Sequence, residues 1–169
     1  MHPVWIMLTM MGMLVIQSTV LQVQPFSFIA PNIVLVMLLY VSLLRGPMLA
    51  LYTGLTIGLV QDILFGTYLG PHAFTYALIC YFAGSTFRSY WARQLIMVTL
   101  IVIAYTFLQE MTLYGLGRLF GFQRIDMMAA VTHSVRMMIW NGIFALILYV
   151  PSVRLLASDR RSTLADETL

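Results

Sequence analysis

The chain has no lysine; its nine basic residues are all arginine. Charged residues make up 9% of the 169 positions and hydrophobic ones 61%, with a mean hydropathy of +0.91. A soluble domain of this size cannot cover its own surface with so little polar material. The lone cysteine, Cys80, excludes an intrachain disulfide and a cysteine-based metal cluster. Catalytic signatures are missing as well: there is no HExxH, no phosphate-binding Gly-Lys-Ser/Thr loop and no GxSxG. His72 and His133 have no cysteine or carboxylate neighbours at metal-ligand spacing, so no enzyme activity, metal or cofactor is expected. The formal charge of +3 reads as topology information and not as a nucleic-acid surface.

What the chain does have is long apolar runs broken by short polar or Pro/Gly punctuation. A membrane-spanning helix needs roughly 20 residues, and the runs divide into six. The predicted spans are Pro3 to Leu21, Pro31 to Arg45, Pro47 to about Asp62 or Leu64, Ala73 to Phe87, Gln94 to about Leu116, and Met127 to Val150, with Pro151 as the stop. Phe65 to His72 holds two glycines and a proline and reads as a bend. The expected architecture is all-α: a polytopic six-helix transmembrane bundle over residues 1–157, followed by a short polar cytoplasmic tail over 158–169. The second and fourth spans are short, which suits helices enclosed by a bundle, little tilt, or a locally thinned bilayer. The thirteen scattered methionines indicate adaptable packing.

Arginine placement sets the expected orientation. Arg45, Arg88, Arg93, Arg154, Arg160 and Arg161 fall on the side of the two termini, and only Arg118 and Arg124 on the other. The positive-inside rule therefore places both ends in the cytoplasm. Arg45, Arg88, Arg93 and Arg154 act as topology anchors, and Trp5 and Trp91 suit the interface on the same face.

Around the third span, Gly46, Ala50, Gly54, Gly58, Asp62, Gly66 and Gly70 recur every four residues. That spacing puts Gly54, Gly58 and Asp62 on one helix face. Small residues so placed let a neighbouring helix approach closely; the stripe is either a tight helix seam or the lining of a ligand cavity. Leucine at Gly54 or Gly58 should push the neighbour away, whereas alanine should be mild by comparison.

Three charges lie within apolar sequence, and each costs about 2.5–3.5 kcal/mol at mid-membrane. Asp62 needs a partner, a wet cavity or a place near the interface. Glu110 and Arg136 face the same cost, so Arg136 is expected to be neutralised by Asp62 or by Glu110. His133, Arg136 and Trp140 share a face of the sixth span, with Thr132 and Asn141 beside it. Asp62, Glu110, His133 and Arg136 are thus the expected buried polar network, serving as a bundle-fixing pair, a transport or proton path, or a docking patch for a partner helix.

Pro31-Asn32-Ile33-Val34-Leu35, then Arg45-Gly46, then Gly54-xxx-Gly58-xxx-Asp62 and Gly66-xxx-Gly70 together resemble the bacterial rod shape-determining MreD family, as does Gln17-Ser18-Thr19. This resemblance covers about Gln17 to Gly84. The family usually has an acid or amide after the second-span proline, and Asn32 fills that place. The resemblance implies a non-enzymatic, multi-pass scaffold in the bacterial inner membrane that serves cell elongation and peptidoglycan synthesis. It implies an MreC-like single-span coiled-coil partner and, indirectly, MreB, RodA and a class B penicillin-binding protein, with membrane lipid around the bundle. The family bundle is also similar to the substrate-binding subunits of energy-coupling-factor vitamin transporters, which makes such a subunit the alternative function.

Overall fold

The computed structural model describes residues 3–20, 31–87, 94–121 and 126–156. They form six helices: α1 (Pro3–Val20), α2 (Ile33–Arg45), α3 (Pro47–Phe65), α4 (Pro71–Phe87), α5 (Leu95–Leu119) and α6 (Met127–Leu156). No strand occurs among the described residues. By length and composition α3, α5 and α6 can each cross a membrane, while α1 and α2 contain shorter apolar helices. Arg88 and Arg93, the interfacial Trp91 and the tail 158–169 lie outside the described residues.

The core is built around α2. Every residue from Ile33 to Leu43 is buried, and α2 touches each of the other five helices. Its run of Val, Leu and Ile has no polar face because no face meets a polar surrounding. Three side chains tie α2 to its neighbours. The Tyr40 hydroxyl donates to the Ala145 carbonyl at 2.6 Å, Ser42 donates to the Cys80 carbonyl, and Ser152 donates to the Met37 sulfur at 3.2 Å.

The α3–α4 pair is the closest packed. A Cβ placed on Gly54 would lie 3.0 Å from the Tyr76 carbonyl carbon, and one on Gly58 would lie 2.5 Å from the Ala73 Cα. The atoms met are backbone, which cannot swing aside. Even a single methyl at Gly58 requires the two helices to shift apart, and a leucine would require more. Between them, Gly66 to Gly70 form the bend, with Gly70 at φ +109°, a conformation open to glycine at little cost.

Four helix ends differ from expectation by two residues or more. Of these, α2 starts at Ile33 and not at Pro31, and α5 runs on to Leu119 past Leu116. The start of α4 and the end of α6 also move. Pro71 opens α4, two residues before the predicted start, and takes a first-turn position where proline has no N–H to waste. At the other end, α6 runs through Pro151 to Leu156. A proline inside a membrane helix is tolerated where packing compensates for the lost hydrogen bond. Here Ser152 and Leu156, both buried, hold the last turns against the bundle.

Candidate functional site

The polar residues of the bundle gather at one end, where α1, α3 and α5 finish and α2, α4 and α6 begin. Asp62, near the C-terminus of α3, is the best satisfied of them. Its side chain is fully buried, and its carboxylate accepts from the backbone N–H groups of Gly70 (2.9 Å), His72 (3.1 Å) and Ala73 (3.1 Å). The His72 ring Nδ1 lies 2.7 Å from Oδ1. An anion at a helix N-terminus meets unpaired donors and the positive end of the helix dipole. Asp62 therefore closes the 66–70 bend by capping α4 from the preceding helix.

A chain of uncharged groups runs inward from there. The Asn32 side chain caps α2 by accepting from the Leu35 N–H at 3.0 Å. Its Nδ2 donates to the Tyr76 hydroxyl at 2.8 Å, and that hydroxyl donates to Gln61 Oε1 at 3.1 Å. The Asn32 backbone N–H donates to Asn141 Oδ1 at 2.8 Å, and Asn141 Nδ2 donates to the Thr106 hydroxyl at 3.1 Å. On the α1 side, Gln17 Oε1 accepts from the Val34 N–H at 3.0 Å. One asparagine thus joins α2, α4 and α6, and every donor named here has an acceptor.

Two adjoining chambers open beside this chain. The larger, about 580 Å³, is bordered by Phe65, Tyr68, His72, Glu110, Tyr114 and His133. The smaller one, about 270 Å³, is bordered by Gln17, Asn32, Gln61 and Gln109, and shares His72, Glu110 and His133 with the first. No arginine is among the described residues that line either chamber. His133 Nε2 lies 3.6 Å from Glu110 Oε2, with the Glu110 side chain only 13% exposed.

Over residues 2–158 the sequence matches the family described as rod shape-determining protein MreD. The chain belongs to that family. The match extends well beyond the Gln17 to Gly84 stretch that carries the resemblance, and takes in α5 and α6. No curated protein and no solved structure matches the chain. MreD membership assigns it a role in rod shape determination, and together with three apolar helices of spanning length it describes a membrane protein.

Within this MreD-family bundle three members of the expected network, Asp62, Glu110 and His133, share one chamber, which the unexpected His72 joins and Arg136 does not line. Asp62, His72, Glu110 and His133 line the larger chamber, where each histidine faces a carboxylate. Local spacing concealed both pairs, since they form only when helices meet. Arg136 is exposed, and the Asp62 carboxylate is filled by α4 and His72 instead of by a cation of α6. The buried face of α6 is set by Ser134, Asn141, Gly142 and Ala145, not by the His133–Arg136–Trp140 face. Of the stripe, Ala50, Gly54, Gly58 and Asp62 are buried, whereas Gly66 is exposed in the bend. The anchors Arg45 and Arg154 stand in the last turns of α2 and α6, at the opposite end of the bundle from the chambers. Tyr76 and Gln109 escaped sequence reading. A tyrosine or glutamine in an apolar helix carries no periodic signal, and burial alone marks it.

Proposed function

We propose that this chain is a non-enzymatic platform in the bacterial inner membrane, holding an MreC-like single-span protein within the cell-elongation machinery. Membership of the MreD family over residues 2–158 carries the proposal. The described mass supports it, since nearly all of it is helix packed around α2 with little outside the bundle to act on its own. MreB, RodA and a class B penicillin-binding protein enter through that partner. Both termini are placed in the cytoplasm by the excess of arginines on their side, which puts the two chambers toward the outer face.

The experiment is affinity purification of the chain from native membranes. A single-span protein with a periplasmic coiled coil should copurify at fixed stoichiometry, and its absence would count against the platform. The chambers favour a second reading, a substrate-binding subunit of an energy-coupling-factor transporter, the alternative raised by the sequence resemblance. That reading requires a bound vitamin and an ATPase pair in the same preparation.

A further inference from the structure

Two carboxylates border the larger chamber, and they differ in what they have left to give. Asp62 has none of its side chain exposed, and its oxygens are taken by the N–H groups of Gly70, His72 and Ala73 and by the His72 ring. Glu110 keeps 13% of its side-chain surface, and its contact with His133 Nε2, at 3.6 Å, is too long for a hydrogen bond. The surface it keeps faces the open space. Thr106, Leu113 and Gly117 share its helix face; Thr106 and Gly117 are buried, and Leu113 borders both chambers. An ionised carboxylate enclosed this far is costly unless a cation or hydrogen-bond donors answer it.

We propose that the larger chamber binds a small organic cation, an ammonium held by a charge-assisted hydrogen bond to Glu110 beside Phe65, Tyr68 and Tyr114. Its volume of about 580 Å³ lies within the usual range of small-molecule sites, roughly 300–1,000 Å³. An ammonium carries only donors and a carboxylate only acceptors, so the pair satisfies both. Aromatic rings attract a cation at their faces, and three of them border this space. An anion would meet Glu110 with no arginine among the described lining to offset the repulsion. A neutral molecule would leave the Glu110 charge uncompensated. A metal ion does not fit either, because among the described residues no three His, Cys, Asp or Glu side chains come together to hold one. Such a ligand suits a scaffold and a transport subunit alike, so the site does not depend on the platform reading.

The test uses the purified full chain in an uncharged detergent at neutral pH. Three probes share a ring and differ in charge: benzylammonium, benzyl alcohol and benzoate. Benzylammonium should raise the melting temperature in a dose-dependent way, and the other two should give no comparable shift. Glu110→Gln keeps the shape and removes the charge, and it should weaken benzylammonium binding at least tenfold. His133→Asn provides a second comparison if that variant does not fold: it removes the neighbouring imidazole and should leave binding intact or tighter. Phosphatidylethanolamine and phosphatidylglycerol, added to the micelles, separate the sources of the ammonium. Competition from the first alone assigns it to a lipid headgroup, and no competition from either assigns it to a soluble amine. The site would be overturned by no benzylammonium shift in the native chain, equal shifts from all three probes, or a shift unchanged in Glu110→Gln. Loss of binding in a folded His133→Asn chain, or equal competition from both lipids, would overturn it as well and leave Glu110 to His133 or to a proton.

Discussion

The backbone N–H of Asn32 donates to the side-chain oxygen of Asn141 across 2.8 Å of space and 109 positions of sequence. The bond sets the start of α2 against the middle of α6. It also supplies an acceptor to one of the N-terminal amides that a helix cannot satisfy internally. Asn32 in turn caps its own helix and reaches Tyr76 of α4, so the registers of three helices depend on two asparagines. An acid could replace the capping oxygen of Asn32, but only an amide also donates to Tyr76.

Replacing Asn141 should test that linkage. Asn141→Leu leaves the buried Asn32 N–H without its protein acceptor, at a cost of about 1–3 kcal/mol. A lowered melting temperature is expected in detergent, with a smaller loss for Thr106→Val, which removes only the outer end of the chain. Equal melting of Asn141→Leu and the native chain would mean the amide is satisfied elsewhere.

The glycines should separate by what surrounds them. Gly58→Ala places a methyl against the α4 backbone and should destabilise strongly, with Gly54→Ala less severe. Gly115→Ala meets nothing within 4 Å and should be neutral or stabilising by up to about 1 kcal/mol through helix propensity. Thermal unfolding of the three variants gives the order directly.

Asp62 should respond to shape before charge. Asp62→Asn keeps an oxygen for the α4 amides and should cost about 1 kcal/mol, the difference between a charged and a neutral acceptor. Asp62→Leu leaves the amides of Gly70, His72 and Ala73 unanswered and should cost about 3 kcal/mol. Faster proteolysis at the 66–70 bend in the leucine variant alone would locate the damage.

Double-mutant cycles should distinguish the partners of the same carboxylate. Asp62 and His72 are in contact and should show a coupling of at least about 0.5 kcal/mol. Asp62 and Arg136 should be additive within about 0.5 kcal/mol, because α4 and His72 already occupy the carboxylate. A large coupling in the second cycle would restore one of the two ion pairs expected from sequence, Arg136 with Asp62, the other being Arg136 with Glu110.

Six apolar runs became six helices because hydropathy in a membrane chain is a local signal, and most ends fell where Pro, Gly or Arg marked them. The stripe of Ala50, Gly54, Gly58 and Asp62 was legible for the same reason, since a period of four needs no tertiary knowledge. The partners of charged groups were not. Whether Asp62 meets an arginine or a helix end depends on how the 66–70 bend folds back, which two glycines and a proline leave open. The inward face of α6 was misjudged because charge drew attention to Arg136, whereas packing selected the small Ser134, Gly142 and Ala145. Pro151 misled by being a breaker in water but not among packed helices.

The length of α2 has a consequence for how the protein is made. Thirteen residues rise about 20 Å, short of the roughly 30 Å of hydrocarbon in a bilayer. A segment this short gains little as a free-standing anchor, and its first backbone amides need acceptors that α6, synthesised last, partly provides. The other helices each give one stripe to the interior, but α2 gives its whole circumference. Its final position therefore cannot be secured as it leaves the ribosome and must wait until the C-terminal helix closes over it. Nascent chains halted before α6 should consequently expose α2 to proteases and chaperones, and quality control could recognise an unfinished molecule by that one unclosed seam.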